Sequence, residues 1–182
     1  MKFLDLVKIR QSVRKYLNKP VEKEKIERCL EAARLAPSAN NSQPWRFIVI
    51  DEPKLKERLA HKTFSKLISF NSFSLQAPVL ILLISQRAKI VAKIGGIIKN
   101  KPFELIDIGI AAEHLCLQAA EEGLGTCMLG WFDEKGIKKI LNIPSKRRIE
   151  LVITLGYPEL EKIRPKKRKT LDGIISYNQY KN

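Results

Sequence analysis

Between Asp107 and Glu122 the chain reads DIGIAAEHLCLQAAEE. Its polar residues Asp107, His114, Gln118 and Glu121 fall at i, i+7, i+11 and i+14, one narrow stripe at helical spacing. Nearly everything else is Ile, Leu, Ala or Cys, so the pattern predicts a helix buried on most sides. A chain of 182 residues has few places for such a helix. It lies either at the centre of the domain or in an interface between subunits.

The surrounding segments supply the rest of a core. Phe3 to Ile9 is apolar at 3, 4, 6, 7 and 9, the pattern of a short amphipathic helix. Lys23 to Leu35 repeats it at Ile26, Cys29, Leu30 and Ala33 and stops against Ala36-Pro37. Arg46 to Ile50 and Ala77 to Ile84 are β-branched runs bounded by prolines and turn residues, read as strands. Pro53 to Ala60 reads as a helix with Pro in its first turn. After the long helix come a strand from Leu124 to Leu129, a helix from Glu134 to Leu141 and a strand from Glu150 to Gly156. Helices and strands intersperse without strict alternation, which predicts an α+β fold with a mixed central β-sheet flanked by helices. No repeat, low-complexity block or Gly/Ser linker divides the chain, so residues 1–182 are expected to form one domain.

Apolar residues at 45% and charged residues at 29% exclude disorder, collagen-like structure and coiled coil. The longest apolar candidate, Ala77 to Ser85, is strand-sized and far short of a membrane span. The N-terminal MKFLDLVKIRQSVRK threads charges through its apolar residues, unlike a secretory signal. Cys29, Cys116 and Cys127 are odd in number and lie in apolar surroundings, which suits buried thiols in a reducing compartment. The expectation is a soluble, cytoplasmic protein without a membrane partner. Lys and Arg total 34 against 19 Asp and Glu, a net charge of +15. That balance invites polyanions, phosphorylated ligands or anionic surfaces, although abundant Lys with Glu equally records a hot habitat.

Several chemistries find no residues to carry them. Two histidines and scattered cysteines give no CxxC, no HExxH and hence no structural metal site. Neither a GxxxxGK[ST] loop nor a GxSxG elbow is present. Gly123, Gly125 and Gly130 follow a helix and run into a strand, the wrong order for a dinucleotide loop. No nucleophile–base pair is visible.

Three clusters suit an anionic, planar ligand. In Arg10-Gln11-Ser12-Val13-Arg14 an extended backbone would point Arg10, Ser12 and Arg14 to one side, a clamp for phosphate or carbonyl oxygens. Alone, the stretch reads first as a solvated basic segment after a helix. Pro37 to Trp45, PSANNSQPW, is either a polar helix-to-strand connection or a ligand-contacting loop with an aromatic anchor. The tail Arg164 to Lys169 is a charge run, solvated or bound to nucleic acid, but no aromatic residues interleave it to stack bases.

These segments resemble a known family. RxSxR near the N-terminus, PSANNSQPW, DIGIAAEHLCLQAAEEGLGT and LGYP followed by a basic tail occur in the same order in the FMN-dependent nitroreductases. The resemblance runs from about Leu6 to Ile175. It implies an α+β domain in an entwined homodimer with two FMN molecules at the subunit interface. Carried over, Arg10 and Ser12, with Gln11 between them, address the phosphate and ribityl, and Arg14 faces the pyrimidine edge. Pro37, Ser38, Ala39 and Asn41 match a segment that reaches the flavin from the partner subunit. Leu129 and Gly130 match the strand end beside the reactive N5, where a missing Cβ permits close approach. Lys166 and Arg168 fit a K-x-R phosphate pair.

Asn71 stands where relatives carry an amide before an Ala-Pro strand opening, with one residue less to Ala77-Pro78; a turn role stays open. The segment Gln86 to Lys101, where larger relatives insert helices over the substrate, is short and basic here. The implied chemistry is ping-pong: NADH or NADPH reduces the flavin, which then reduces a small-molecule acceptor such as a nitroaromatic or quinone. No catalytic side chain is expected, because the cofactor carries the chemistry. The rival readings are a basic nucleic-acid-binding protein and a superfamily flavoenzyme of different chemistry.

Overall fold

The computed structural model describes residues 2–86, 101–160 and 162–180. The short basic segment singled out above falls almost wholly outside them. Strand β2 (Val79–Ser85, VLILLIS) organises the fold, since all but its last residue are buried. A strand buried on both faces needs a layer on each, and its alternation supplies two cores. Val79, Ile81 and Leu83 pack with Ile153 and Leu155 against helices α2 (Lys23–Arg34) and α4 (Phe103–Glu121). Leu80, Leu82 and Ile84 pack with Val152, Cys127 and Leu129 against α3 (Pro53–Ala60) and α5 (Glu134–Ile140). Helix α1 (Phe3–Ile9) buries no residue fully and lies beside α4.

The sheet order is β1-β2-β4-β3, with β1 at Trp45–Ile50, β3 at Gly125–Leu129 and β4 at Arg148–Gly156. Every pairing of these strands is antiparallel. The mixed sheet expected from sequence is therefore reduced to one isolated parallel bridge, Ser12 to Thr126. Interspersed helices did not require parallel neighbours, because α3 joins two antiparallel strands and α5 two others.

The expected elements form with ends shifted by a few residues. Strand β2 starts two residues late because Pro78 has no N–H to give a ladder. Helix α3 begins at Pro53, and the Glu52 carboxylate caps it by accepting from the Lys54 and Leu55 amides at 3.0 and 2.6 Å. Helix α4 starts a turn early, at Phe103.

Of the two places open to the long helix, the centre of the domain holds its greater part: Ile108, Ala111, Ala112, Leu115, Cys116 and Ala119 are buried. Its small residues let α2 approach closely. The polar stripe is wet only at its end, where Glu121 is exposed. His114 Nδ1 lies 3.3 Å from the Ala32 carbonyl, and Gln118 donates to Glu122, which pairs with Arg28 of α2. Asp107 is 4% exposed. No helix among the described residues is long and apolar enough to cross a membrane.

Candidate functional site

Beyond α1 the backbone runs extended beside the edge of β3. Val13 N–H donates to the Thr126 carbonyl at 2.8 Å. A Cβ on Gly125 would fall 2.6 Å from the Val13 side chain, so only glycine admits this segment. Tyr16, 6% exposed, closes the run by bonding Thr154 Oγ1 at 2.6 Å and donating to the Val13 carbonyl at 2.9 Å. Arg10, Ser12 and Arg14 thereby line one cleft of about 380 Å³.

The opposite wall of that cleft is the tail, whose Arg164, Lys166, Lys167 and Arg168 come from the other end of the chain. Gln11 fixes it in place. Its Oε1 accepts from the Arg164 backbone N–H at 3.1 Å and from Arg164 Nε at 3.3 Å, and its Nε2 donates to the Lys162 carbonyl at 3.2 Å. The Arg164 guanidinium also donates to the Ser12 carbonyl. Lys166 Nζ donates to the Val7 carbonyl at 2.7 Å, at the last turn of α1. Burial, then the neighbouring Arg10 and Arg168, hold the Lys166 ammonium below the ordinary lysine value.

Six cations line this cleft, and among the described residues one ion pair reaches any of them. In it Arg10 Nε stands 3.1 Å from Glu113 Oε1 of α4. The contact is poorly aligned for a hydrogen bond, which leaves that buried Nε without one. Like charges gathered this closely, with donors left over, form a site complementary to a compact anion.

Strand β3 runs on from the Ser12 to Thr126 bridge and ends at Leu129, followed by Gly130. Gly130 is exposed, and a Cβ there would meet nothing within 4 Å. Its φ is not positive, so the turn into Trp131 does not account for the glycine. Asn71 is buried and donates Nδ2 to the Trp131 carbonyl at 3.1 Å, which pins the backbone beyond Gly130. Phe70 and Trp131, both exposed, are tilted 59° to each other with ring centres 6.0 Å apart. Arg14 lies 6.0 Å from the Phe73 ring, in the turn that follows Asn71. Arg14, Asn71 and the Leu129-Gly130 strand end thus belong to one neighbourhood.

The Pro37-to-Trp45 connection is built differently. Asn40, Asn41 and Gln43 have φ of 52°, 51° and 46°, and for Gln43 that left-handed backbone is strained. The buried Asp107 carboxylate holds the loop, accepting from Ala39 N–H at 3.1 and 3.2 Å and from the Ser42 hydroxyl at 3.4 Å. Ser38 Oγ accepts from Gln43 N–H at 2.9 Å. No contact in this chain joins Pro37, Ser38, Ala39 or Asn41 to the basic cleft among the described residues. Two of the three clusters therefore meet, and the third stands apart.

Sequence reasoning missed Asp107 and Glu113 as site-building residues, and the aromatic pair Phe70 and Trp131; Arg164 it had only as part of the basic tail. The buried thiols are inert: burial pushes Cys29 and Cys116 up to about 12.

Fold and cleft define a class: an α+β protein that gathers arginines and lysines from both ends of its chain around one anion-sized site. The sequence pattern of the Nitroreductase family matches residues 7–72 and 69–157, and the chain belongs to that family. An FMN-dependent nitroreductase from Clostridium difficile R20291 superposes with a TM-score of 0.80 at 29% identity, covering 98% of this chain and 100% of that one. An iodotyrosine deiodinase from Thermotoga neapolitana is 29% identical over 99% of this chain and 100% of its own. A Thermus thermophilus NADH dehydrogenase is 28% identical over 91% of each chain.

Proposed function

We propose that the chain is an FMN-dependent oxidoreductase that carries electrons from NADH or NADPH to nitroaromatic, quinone or similar small acceptors. The observation that carries this reading is the six-cation cleft held against the edge of β3 by the Val13 to Thr126 hydrogen bond. A phosphate monoester is a compact dianion, and arginine forks with a hydroxyl suit its oxygens. The residues fit FMN. Arg10, Ser12, Lys166 and Arg168 would hold phosphate and ribityl, with Gln11 keeping the tail in place. Arg14 would hold the pyrimidine edge, and its cation favours the charge that reduction builds there. Leu129 and Gly130 would leave the reactive edge accessible. Bound there, FMN would supply two-electron redox chemistry between the nicotinamide donor and the acceptor, in ping-pong order. Asn71 serves this site through the Trp131 carbonyl.

The working form is a homodimer of a one-domain chain, with the cofactor at the interface. Phe3 and Leu4 of α1 and Leu105 and Ile106 of α4 are exposed apolar residues, which supports a second copy covering them. That copy would bring its own Pro37-to-Asn41 loop to the cleft. Three free, buried cysteines suit the reducing cytoplasm.

The test is direct. Purified protein is expected to be yellow, with flavin absorbance released on denaturation, and to oxidise NADH or NADPH with a nitrofuran or a benzoquinone. Since a deiodinase is among the relatives, an iodinated tyrosine is assayed beside them. Colourless protein that fails to bind added FMN would overturn the reading and favour the nucleic-acid alternative. A sedimentation monomer that holds FMN tightly would overturn the dimer, whose unfolding midpoint should rise with concentration.

A further inference from the structure

A second cleft, of about 560 Å³, shares no lining residue with the basic one. That volume lies within the range of small-molecule sites, roughly 300–1,000 Å³. Three segments build it: the chain from Tyr16 to Val21, the entry to α3 from Asp51 to Lys56, and the turn from Leu75 to Val79 that opens β2. Pro20, Val21, Pro53, Leu75, Pro78 and Val79 give it apolar walls.

Its polar lining is Asn18, Lys19, Asp51 and Gln76, all exposed, and the half-buried Lys56. Lys56 is half-buried, and its Nζ donates to the Leu75 carbonyl at 2.8 Å but joins no ion pair among the described residues. Burial accordingly lowers the affinity of its ammonium for the proton. Gln76 turns Oε1 towards the Tyr16 N–H at 3.4 Å, and its Nε2 has no partner among the described residues. Asn18 likewise has no side-chain partner there. Lys19 stacks its ammonium 3.9 Å from the Tyr157 ring centre, which holds it on that aromatic face. With Asp51 on the wall, two lysines against one aspartate leave a single net positive charge. No arginine is present, so the lining suits a monoanion, in contrast to the dianion-sized charge of the basic cleft.

We propose that this cleft binds a small monocarboxylate with an apolar body. Its carboxylate sits on Lys56 Nζ and the Gln76 amide, and its body lies on the wall of Pro20, Val21 and Pro78. Such a ligand supplies the counter-ion that Lys56 lacks and covers apolar surface that the fold leaves open. The site stands independently of the cofactor reading.

The test uses 4-phenylbutyrate as probe on the protein as purified, with and without added FMN, by calorimetry and amide chemical shifts. Saturable binding is expected, with shifts at Asn18 and Gln76. Lys56→Met should weaken it roughly tenfold or more, the consequence of removing a charged hydrogen-bond donor. Lys56→Arg should restore most of it, and neutral 4-phenylbutyramide should bind the parent as weakly as the acid binds Lys56→Met. The amide comparison needs no variant, so the test survives a Lys56→Met protein that does not fold. Equal affinity for acid and amide, unchanged binding by Lys56→Met, no binding at millimolar probe, or shifts centred on Arg10 and Arg168 would each overturn the proposal.

Discussion

Removing the Gln11 amide should detach the tail from the basic cleft without unfolding the domain. Gln11→Met keeps the length of the side chain and deletes three hydrogen bonds, two to Arg164 and one to Lys162. Each is longer than 3.0 Å and borders solvent, so each is assigned the low end of the net range, about 0.5 kcal/mol. Together they contribute about 1.5 kcal/mol to holding the tail down, which corresponds to roughly a tenfold rise in the detached fraction. A ligand that needs the tail binds with its affinity reduced by the competent fraction, so FMN affinity should fall by up to about tenfold. The midpoint of thermal unfolding should scarcely move, because the tail is exposed and contributes nothing to either core. Fluorescence titration with FMN measures the first quantity. Trypsin cleavage at the basic tail measures the second, since in the fast-reclosing regime it tracks the open population. An affinity and a cleavage rate both within twofold of the parent would refute the tether.

Arg10→Ala and Arg168→Ala should each weaken FMN retention by about ten- to a hundred-fold, read by ultrafiltration, with secondary structure unchanged. Gly130→Leu should fold normally, because its side chain enters open space, yet lose FMN or lose NADH and NADPH oxidation in steady-state assays. Asp107→Ala leaves the Ala39 N–H without its acceptor, a loss of about 1.5–3 kcal/mol measurable by urea denaturation, and Asp107→Asn should recover part of it. The Arg28 hydrogen bond holds the Glu122 carboxyl below its ordinary 4.5, so that pair stabilises the fold above this value and stops doing so as pH falls through the folded one. Arg28→Met should therefore differ from the parent at neutral pH and converge on it in acid, as read from denaturation midpoints across pH.

The fold was legible because it rests on local patterns. The two-residue alternation of VLILLIS and the helical spacing of Ile26, Cys29 and Ala33 each imply a buried face without reference to anything distant. Strand direction was not legible, since nothing in β1 or β4 states which neighbour it will meet. The chemical type of the cleft could also be read, because RQSVR and RPKKR display their charge openly. What joins them could not. Gln11 is an ordinary amide until Arg164, 153 positions away, is folded beside it. Asp107 likewise passed for one tooth of a polar stripe, because its partner loop lies 68 residues upstream.

That loop carries the step the sequence withheld. A carboxylate buried in a helix normally needs a cation, yet Asp107 has no ion pair among the described residues and is satisfied instead by the loop's own donors, Ala39 N–H and Ser42 Oγ. The left-handed backbone at Asn40, Asn41 and Gln43 is thus held from beneath by a group that would itself be destabilised if the loop relaxed. Asn40, Asn41 and Gln43 are all exposed, so the strain serves a surface and not the core. Arg10 meets the same helix six residues further along, at Glu113, where 3.6 residues per turn have carried the side chains round to a different face. One copy of the chain therefore presents a stiff, strained loop and a cationic cleft in different directions. In the proposed homodimer, a second copy would bring its loop to the first one's cleft.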